Sequence, residues 1–188
     1  MGNKISAMDK IANNQSILFE GCRLINTKRH HDNRGVFQKI FPLSNEFSTS
    51  DYPIKQVNLS YNELAGTIRG LHYQSEPYLE SKLITCVRGS IFDVLLDLRT
   101  HSSTYGQITY VHLTPTSGSL LVPPNVAHGF QSMEGQTIIM YLHSNDYSKE
   151  NSKGLNPLDT NLKIPWPLPV SSISESDKEL PYFSMELN

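Results

Sequence analysis

The chain has 188 residues and a formal net charge of −2, long enough for one hydrophobic core and short for two. That charge supplies no field that would favour nucleic acid or an anionic membrane, and no apolar run approaches the roughly 18 residues a spanning helix needs. No charged-then-apolar leader opens the chain, and Cys22 and Cys86 are too few and too far apart for a disulfide framework, so a soluble cytoplasmic protein is expected.

Residues 1–15 are polar and patternless and are expected to be a disordered extension. From residue 16 to 188 the chain reads as a single domain. Ile17-Leu18-Phe19 and Arg23-Leu24-Ile25 flank Gly21, and a turn built on Asp32-Asn33-Arg34-Gly35 precedes the run Val36-Phe37-Gln38-Lys39-Ile40-Phe41. Further β-patterned runs cover 56–61, 82–87, 91–98, 108–113, 119–122 and 137–142. Arg88-Gly89-Ser90 connects two apolar, β-branched runs tightly, which predicts a hairpin. Helix is expected only near 42–47 and in short pieces after Ser148. The tail, 165–188, is rich in Pro and Ser and reads as an extended strap ending in a short turn or helix. Short strands with frequent Gly and Pro punctuation predict an all-β domain, a sandwich or a barrel.

The chemistry concentrates in Arg69-Gly70-Leu71-His72-Tyr73-Gln74, followed after a polar loop by Lys82. His72 can accept a proton near neutral pH. Lys82 can stabilise an enolate oxygen, and Arg69 can clamp a phosphate or orient the base. Alternation places Lys82, Ile84 and Cys86 on one face and Leu83, Thr85 and Val87 on the other, both largely apolar, so this strand is expected to be covered on both sides. Asp93 shares a face with Leu95, Tyr141 with Thr137 and Ile139, and His128 with Phe130 after the rigid Pro123-Pro124 turn. Ionisable groups delivered inward from several strands describe a ligand pocket better than a core, because cores rarely bury unpaired charge.

No His-x-His with a following Glu is present. His30 and His31 read as solvated turn residues, and His101, His112 and His143 as isolated surface or strand residues. His72 and His128 could approach one another, but two nitrogens without a clear third ligand make a poor transition-metal site. Neither a metal nor an organic cofactor is expected.

From about residue 16 to about 181 the chain resembles the dTDP-4-dehydrorhamnose 3,5-epimerase family. The resemblance rests on Asp32-Asn33-Arg34-Gly35-Val36-Phe37, Gln56-Val57-Asn58, Arg69-Gly70-Leu71-His72-Tyr73-Gln74, Lys82-Leu83 and Val87-Arg88-Gly89-Ser90-Ile91-Phe92-Asp93-Val94. It continues through Asp97-Leu98-Arg99, Thr104-Tyr105-Gly106-Gln107, Pro123-Pro124-Asn125-Val126-Ala127-His128-Gly129-Phe130, Tyr141, Asp146-Tyr147, Trp166-Pro167 and Ile173-Ser174-Glu175-Ser176-Asp177. Each piece is weak alone; in order they are strong. The resemblance implies a cupin-type jelly-roll β-barrel with a few short helices, in a homodimer that exchanges N-terminal strands. It implies a cofactor-independent epimerase acting on a nucleotide-diphosphate 4-keto-6-deoxy sugar in deoxysugar biosynthesis. His72 matches the family's catalytic base, Asp177 the carboxylate that pairs with it, Tyr141 the proton donor on the opposite sugar face, and Lys82 the lysine near the C4 oxygen. Asp93 and His128 match further polar residues of the site, and Arg69 a substrate-binding arginine. Arg34, Phe37, Gln56, Asn58 and Tyr147 fall where the family holds the nucleotide diphosphate.

Four departures bear on specificity. Lys39 stands where a glutamate is expected, Ser176 where a lysine precedes the catalytic aspartate, and Val57 where an acidic residue separates Gln56 from Asn58; Asn156-Pro157 replaces an Arg-Trp pair. They leave open a CDP- or GDP-linked 4-keto sugar, and inversion at C3, C5 or both. A non-catalytic or ketoisomerase-like nucleotide-sugar-binding cupin is the competing class. The retained Tyr141 speaks against it, because moving a keto group along one face needs no donor on the other.

Overall fold

A computed structural model describes residues 18–26, 28–40 and 53–184. The expected disordered extension over 1–15 and the expected helix near 42–47 lie outside these residues. Two five-stranded antiparallel sheets face each other. One has the order β1 (Arg23–Ile25), β9 (Ser119–Val122), β6 (Lys82–Arg88), β11 (Thr137–His143), β4 (Gln56–Asn62). The other runs β12 (Ser152–Gly154), β5 (Ile68–Gln74), β10 (Val126–Ser132), β7 (Ile91–Asp97), β8 (Ile108–Leu113). A separate hairpin pairs β2 (Arg29–Asp32) with β3 (Gly35–Gln38) through the expected Asn33-Arg34 turn. From β4 to β12, strands adjacent in sequence alternate between the sheets except β7 and β8, which pair with each other, a jelly-roll pattern.

Period-2 alternation builds three layers. Ile84 and Cys86 of β6, Leu95 of β7, Leu120 of β9, Phe130 of β10 and Ile139 of β11 meet between the sheets. Leu71, Phe92, Val94 and Leu96 project from the far side of the second sheet. Leu155, Leu162, Ile164, Trp166 and Leu168 of the C-terminal segment lie over them. Leu83 packs with Ile25, Leu121 and Leu142 on the outer side of the first sheet, so β6 is covered on both faces along most of its length, although Val87 is exposed. Cys22 and Cys86 are both free and buried, and burial pushes both thiols up to about 12.

The hairpin expected at Arg88-Gly89-Ser90 does not form. β6 pairs with β9 and β11 and β7 with β8 and β10, so the turn carries the chain from one sheet to the other. Gly89 makes that corner at φ +76, where a Cβ would overlap the Thr137 side chain. The turn signal is local, but each strand's partners are set by burial on both faces. The tail runs extended from 165 to 173, and its helical turn, α1 (Glu175–Lys178), comes within it rather than at its end. Ser174 caps α1, its hydroxyl accepting the Asp177 N–H at 3.1 Å.

Candidate active site

A cavity of about 650 Å³ opens between β4, β5, β6, β10 and β11, with β12 and α1 at its rim. His72 and Arg69 both enter it from β5 although they are three residues apart, a spacing that strict alternation would send to opposite faces. The reason is a bulge. His128 pairs with His72 and Phe130 with Arg69, so Gly70 and Leu71 together oppose Gly129 alone. The two backbones come so close there that a Cβ on Gly70, at φ +113, would lie 2.5 Å from the Gly129 Cα. Only glycine fits, and the bulge re-aims the imidazole.

His72 Nε2 lies 2.8 Å from Asp177 Oδ1, while Asp177 Oδ2 accepts the Gly70 N–H at 3.2 Å. Burial pushes the Asp177 carboxyl up, but the hydrogen bond and charge of His72, with the Gly70 and Ser174 hydrogen bonds, outweigh it and hold the group below the usual carboxylate range. Asp177 is therefore an ionised acceptor, and Nε2 carries the proton. That leaves Nδ1 as the basic nitrogen of a ring whose side chain is 46% exposed at the cavity wall.

Opposite lies Tyr141. Burial raises its phenol, as does the negative charge of Asp93, against smaller lowering effects from Arg69 and a Ser60 hydrogen bond, so it stays protonated through neutral pH. Its ring meets that of His128 edge-on at 6.1 Å. His128 Nε2 is 2.8 Å from Asp93 Oδ2, in a carboxyl that burial pushes upward and His128 pulls down. Arg69 is held by Asn62, whose Oδ1 accepts its Nε–H at 2.9 Å.

Lys82 reaches the same cavity. Its Nζ is 2.8 Å from Glu80 Oε1 and 3.4 Å from the His72 carbonyl, and Glu80 Oε2 meets His143 Nδ1 at 2.9 Å. Asn58 and Tyr147 line the mouth, where Gln56 accepts the Tyr147 amide at 3.2 Å. Eight of the twelve expected site residues thus line one cavity: His72, Asp177, Tyr141, Lys82, Arg69, His128, Asn58 and Tyr147. Asp93 lies behind His128, and Gln56 stands beside Tyr147. Arg34 and Phe37 do not reach it. They sit exposed on the β2–β3 hairpin, Arg34 paired with Asp32 at 2.6 Å and Phe37 72% exposed.

The model of the family described as dTDP-4-dehydrorhamnose 3,5-epimerase matches residues 16–185. The chain belongs to this epimerase family. A dTDP-4-dehydrorhamnose 3,5-epimerase of Sinorhizobium fredii (strain NBRC 101917 / NGR234) is 36% identical over 170 residues, 89% of this chain and 87% of the relative. The dTDP-4-dehydrorhamnose 3,5-epimerase of Bacillus anthracis str. Ames, solved with TDP and PPi bound, superimposes with a TM-score of 0.83 at 35% identity. It covers 90% of this chain and 98% of that one. A 3'-monoepimerase from Streptomyces bikiniensis, solved in complex with dTDP-quinovose, superimposes with a TM-score of 0.80 at 28% identity over 88% and 85% of the two chains. The architecture is the cupin-type jelly roll of these isomerases.

Three polar residues were not among the expected site residues: Glu80 and His143, which line the cavity, and Asn62, which holds Arg69 from behind. Parity could have found the first two. Glu80 is two residues before Lys82, and His143 two after Tyr141, each on the face of its neighbour. His143, expected as an isolated surface or strand residue, is a strand residue whose ring is largely buried in the cavity wall. Asn62 ends β4 four residues after Asn58, on the same inward face, so parity points to it as well.

The depressed Asp177 carboxyl makes a stability prediction. Its contribution is complete above the unfolded pKa, near 4, and is lost as pH falls through the lower folded value, so the wild type should lose more Tm between about pH 5 and about pH 3 than Asp177→Asn does. Thermal unfolding across that range reads it; parallel profiles would show that the dyad adds no stability.

Proposed function

We propose that the protein is a cofactor-independent epimerase of a dTDP-linked 4-keto-6-deoxy sugar, acting at C3, C5 or both in cytoplasmic deoxysugar biosynthesis. The observation that carries this is one cavity that brings together His72 with Asp177 behind it, Lys82 beside it, and Tyr141 from the facing sheet. The 4-keto group acidifies the C–H bonds on both neighbouring carbons. His72 Nδ1 takes the proton, the C–H electron pair becomes the C=C of an enolate, and the carbonyl pair moves to the C4 oxygen. The Lys82 ammonium meets that charge in a site shielded from water. Tyr141 O–H then delivers a proton to the opposite face of the carbon. The imidazolium and phenolate left behind reset by proton exchange through solvent.

Arg69 and Lys153 at the cavity wall suit a diphosphate, and the exposed Tyr147 ring at the mouth suits a flat base. The position of the β2–β3 hairpin supports a homodimer in which Arg34 and Phe37 complete the partner's nucleotide site. The outer side of β4 supports it too, with Val57, Leu59 and Tyr61 all more than half exposed beside Met140 of β11. A monomer at micromolar concentration by light scattering would remove this part of the reading. Val57 lies on that outer side, so its departure from the family pattern changes no contact within the cavity. Ser176 does line the cavity, and it keeps a CDP- or GDP-linked sugar as the second reading.

The test is incubation with a dTDP-4-keto-6-deoxy sugar in D2O, with thermal shifts measured for dTDP, CDP, GDP and UDP. Deuterium should enter at C3, C5 or both, and dTDP should give the largest shift, about 2.7 kcal/mol of stabilisation at a hundredfold over Kd. A larger shift with CDP or GDP reassigns the base. No exchange with the sugar of any base leaves a binding protein rather than an enzyme.

A further inference from the structure

Lys82, Glu80 and His143 form one hydrogen-bonded side-chain arrangement. It places two further ionisable side chains in the cavity wall. Lys82 and His143 are direct cross-strand partners on β6 and β11, and Glu80, two residues ahead of β6, bridges them. The Lys82 and Glu80 side chains are each less than a tenth exposed. Burial pushes the Glu80 carboxyl up, but His143 and Lys82 outweigh it and hold the group ionised below its ordinary value.

Donor counting gives the arrangement a purpose. An ammonium has three N–H donors. One goes to Glu80 Oε1 at 2.8 Å and one lies 3.4 Å from the His72 carbonyl. Glu80 Oε2 is committed to His143 Nδ1 at 2.9 Å, so the carboxylate cannot turn both oxygens on Lys82 and absorb a second donor. One N–H remains for the cavity. The His72 carbonyl contact also ties the ammonium to the backbone of the residue that would remove the proton.

We propose that Glu80 and His143 are positioning residues of the epimerisation. Through one oxygen Glu80 fixes the Lys82 ammonium beside His72, and through the other it is itself fixed by His143, leaving the third Lys82 donor for the enolate oxygen. The inference rests on the epimerase reading and adds to it two residues that act through Lys82. The enolate exists only beyond the ground state, so the loss should appear in kcat rather than KM.

The experiment is a double-mutant cycle on deuterium wash-in from D2O, with dTDP-4-keto-6-deoxy sugar varied up to saturation so that kcat and KM are read separately. Wild type, Glu80→Ala, Glu80→Gln, Lys82→Met and the double variants are compared, and Tm is recorded for each. Glu80→Ala should lower kcat for exchange by about 10- to 100-fold with KM within about threefold. Glu80→Gln keeps an acceptor for the ammonium and should recover part of that loss. In the Lys82→Met background either Glu80 substitution should cost nothing further, or raise exchange, because the carboxylate left there repels the enolate. Equal losses in both backgrounds, a change confined to KM, or unaltered kcat in Glu80→Ala would each overturn the proposal. If Glu80→Ala does not fold, the Glu80→Gln cycle decides on the same criteria. Absence of exchange in the wild type would instead strike the epimerase reading itself, so the two failures are distinguishable.

Discussion

His72→Ala should reduce deuterium incorporation from D2O into a 4-keto-6-deoxy nucleotide sugar by about 10³-fold or more, about 4 kcal/mol in the barrier. Among the described residues, no other group stands in the same place. His128, directly opposite across β5 and β10, is tied to the buried Asp93 carboxyl, and Lys82 is a cation held by Glu80. The fold should survive, because the His72 side chain is half exposed and Asp177 keeps the Gly70 N–H and the Ser174 cap. Binding should survive too, since Arg69 and Tyr147 are untouched, so the thermal shift with dTDP should match the wild type. The comparison with Asp177→Asn separates two roles of the dyad. The asparagine retains an oxygen for Nε2–H but carries no charge to stabilise the imidazolium, so exchange should fall less than in His72→Ala and by at least tenfold. Exchange in His72→Ala at the wild-type rate, with dTDP binding intact, would exclude His72 as the base.

How much of this could be read from residues depended on whether the signal was periodic. β6 shows alternation at its best: Lys82, Ile84 and Cys86 face inward as their spacing says, with a charged residue opening an apolar face and so marking the cavity. The same rule misleads on β5, because period 2 separates Arg69 from His72 and the bulge that reunites them depends on Gly70 meeting Gly129 of another strand. The Arg88-Gly89-Ser90 turn misleads for a related reason. A tight turn reports that the chain reverses, not that its flanks share a sheet. Asp177 is 105 residues from His72 and arrives on a single helical turn, so only the resemblance to the epimerase family paired them. Arg34 and Phe37 came by resemblance as well, and the hairpin that bears them stands away from this chain's own cavity.

Tyr141→Phe should separate two events that the wild type joins. In the proposed mechanism, removal of the proton by His72 and enolate stabilisation by Lys82 need no phenol, so deuterium should still wash into the substrate on the face it left. Inversion needs an acid on the other face, and the phenol is the group placed for it: buried, kept protonated by desolvation and by the charge of Asp93, and across the cavity from His72. Phenylalanine preserves the ring, its edge contact with His128 and its packing against the core between the sheets, so Tm should change by no more than a few degrees. Epimerised product should fall by about 10²-fold or more while exchange falls by less than about tenfold. NMR on one reaction gives both rates, exchange from loss of the C3 or C5 proton signal and inversion from the product's ring couplings. Equal losses would mean that the hydroxyl acts before the enolate forms, as a binding group. An unchanged inversion rate would pass the acid's role to another group on that face, with His128, whose ring centre is 6.1 Å from that of Tyr141 and which is paired with the buried Asp93, the next to be substituted.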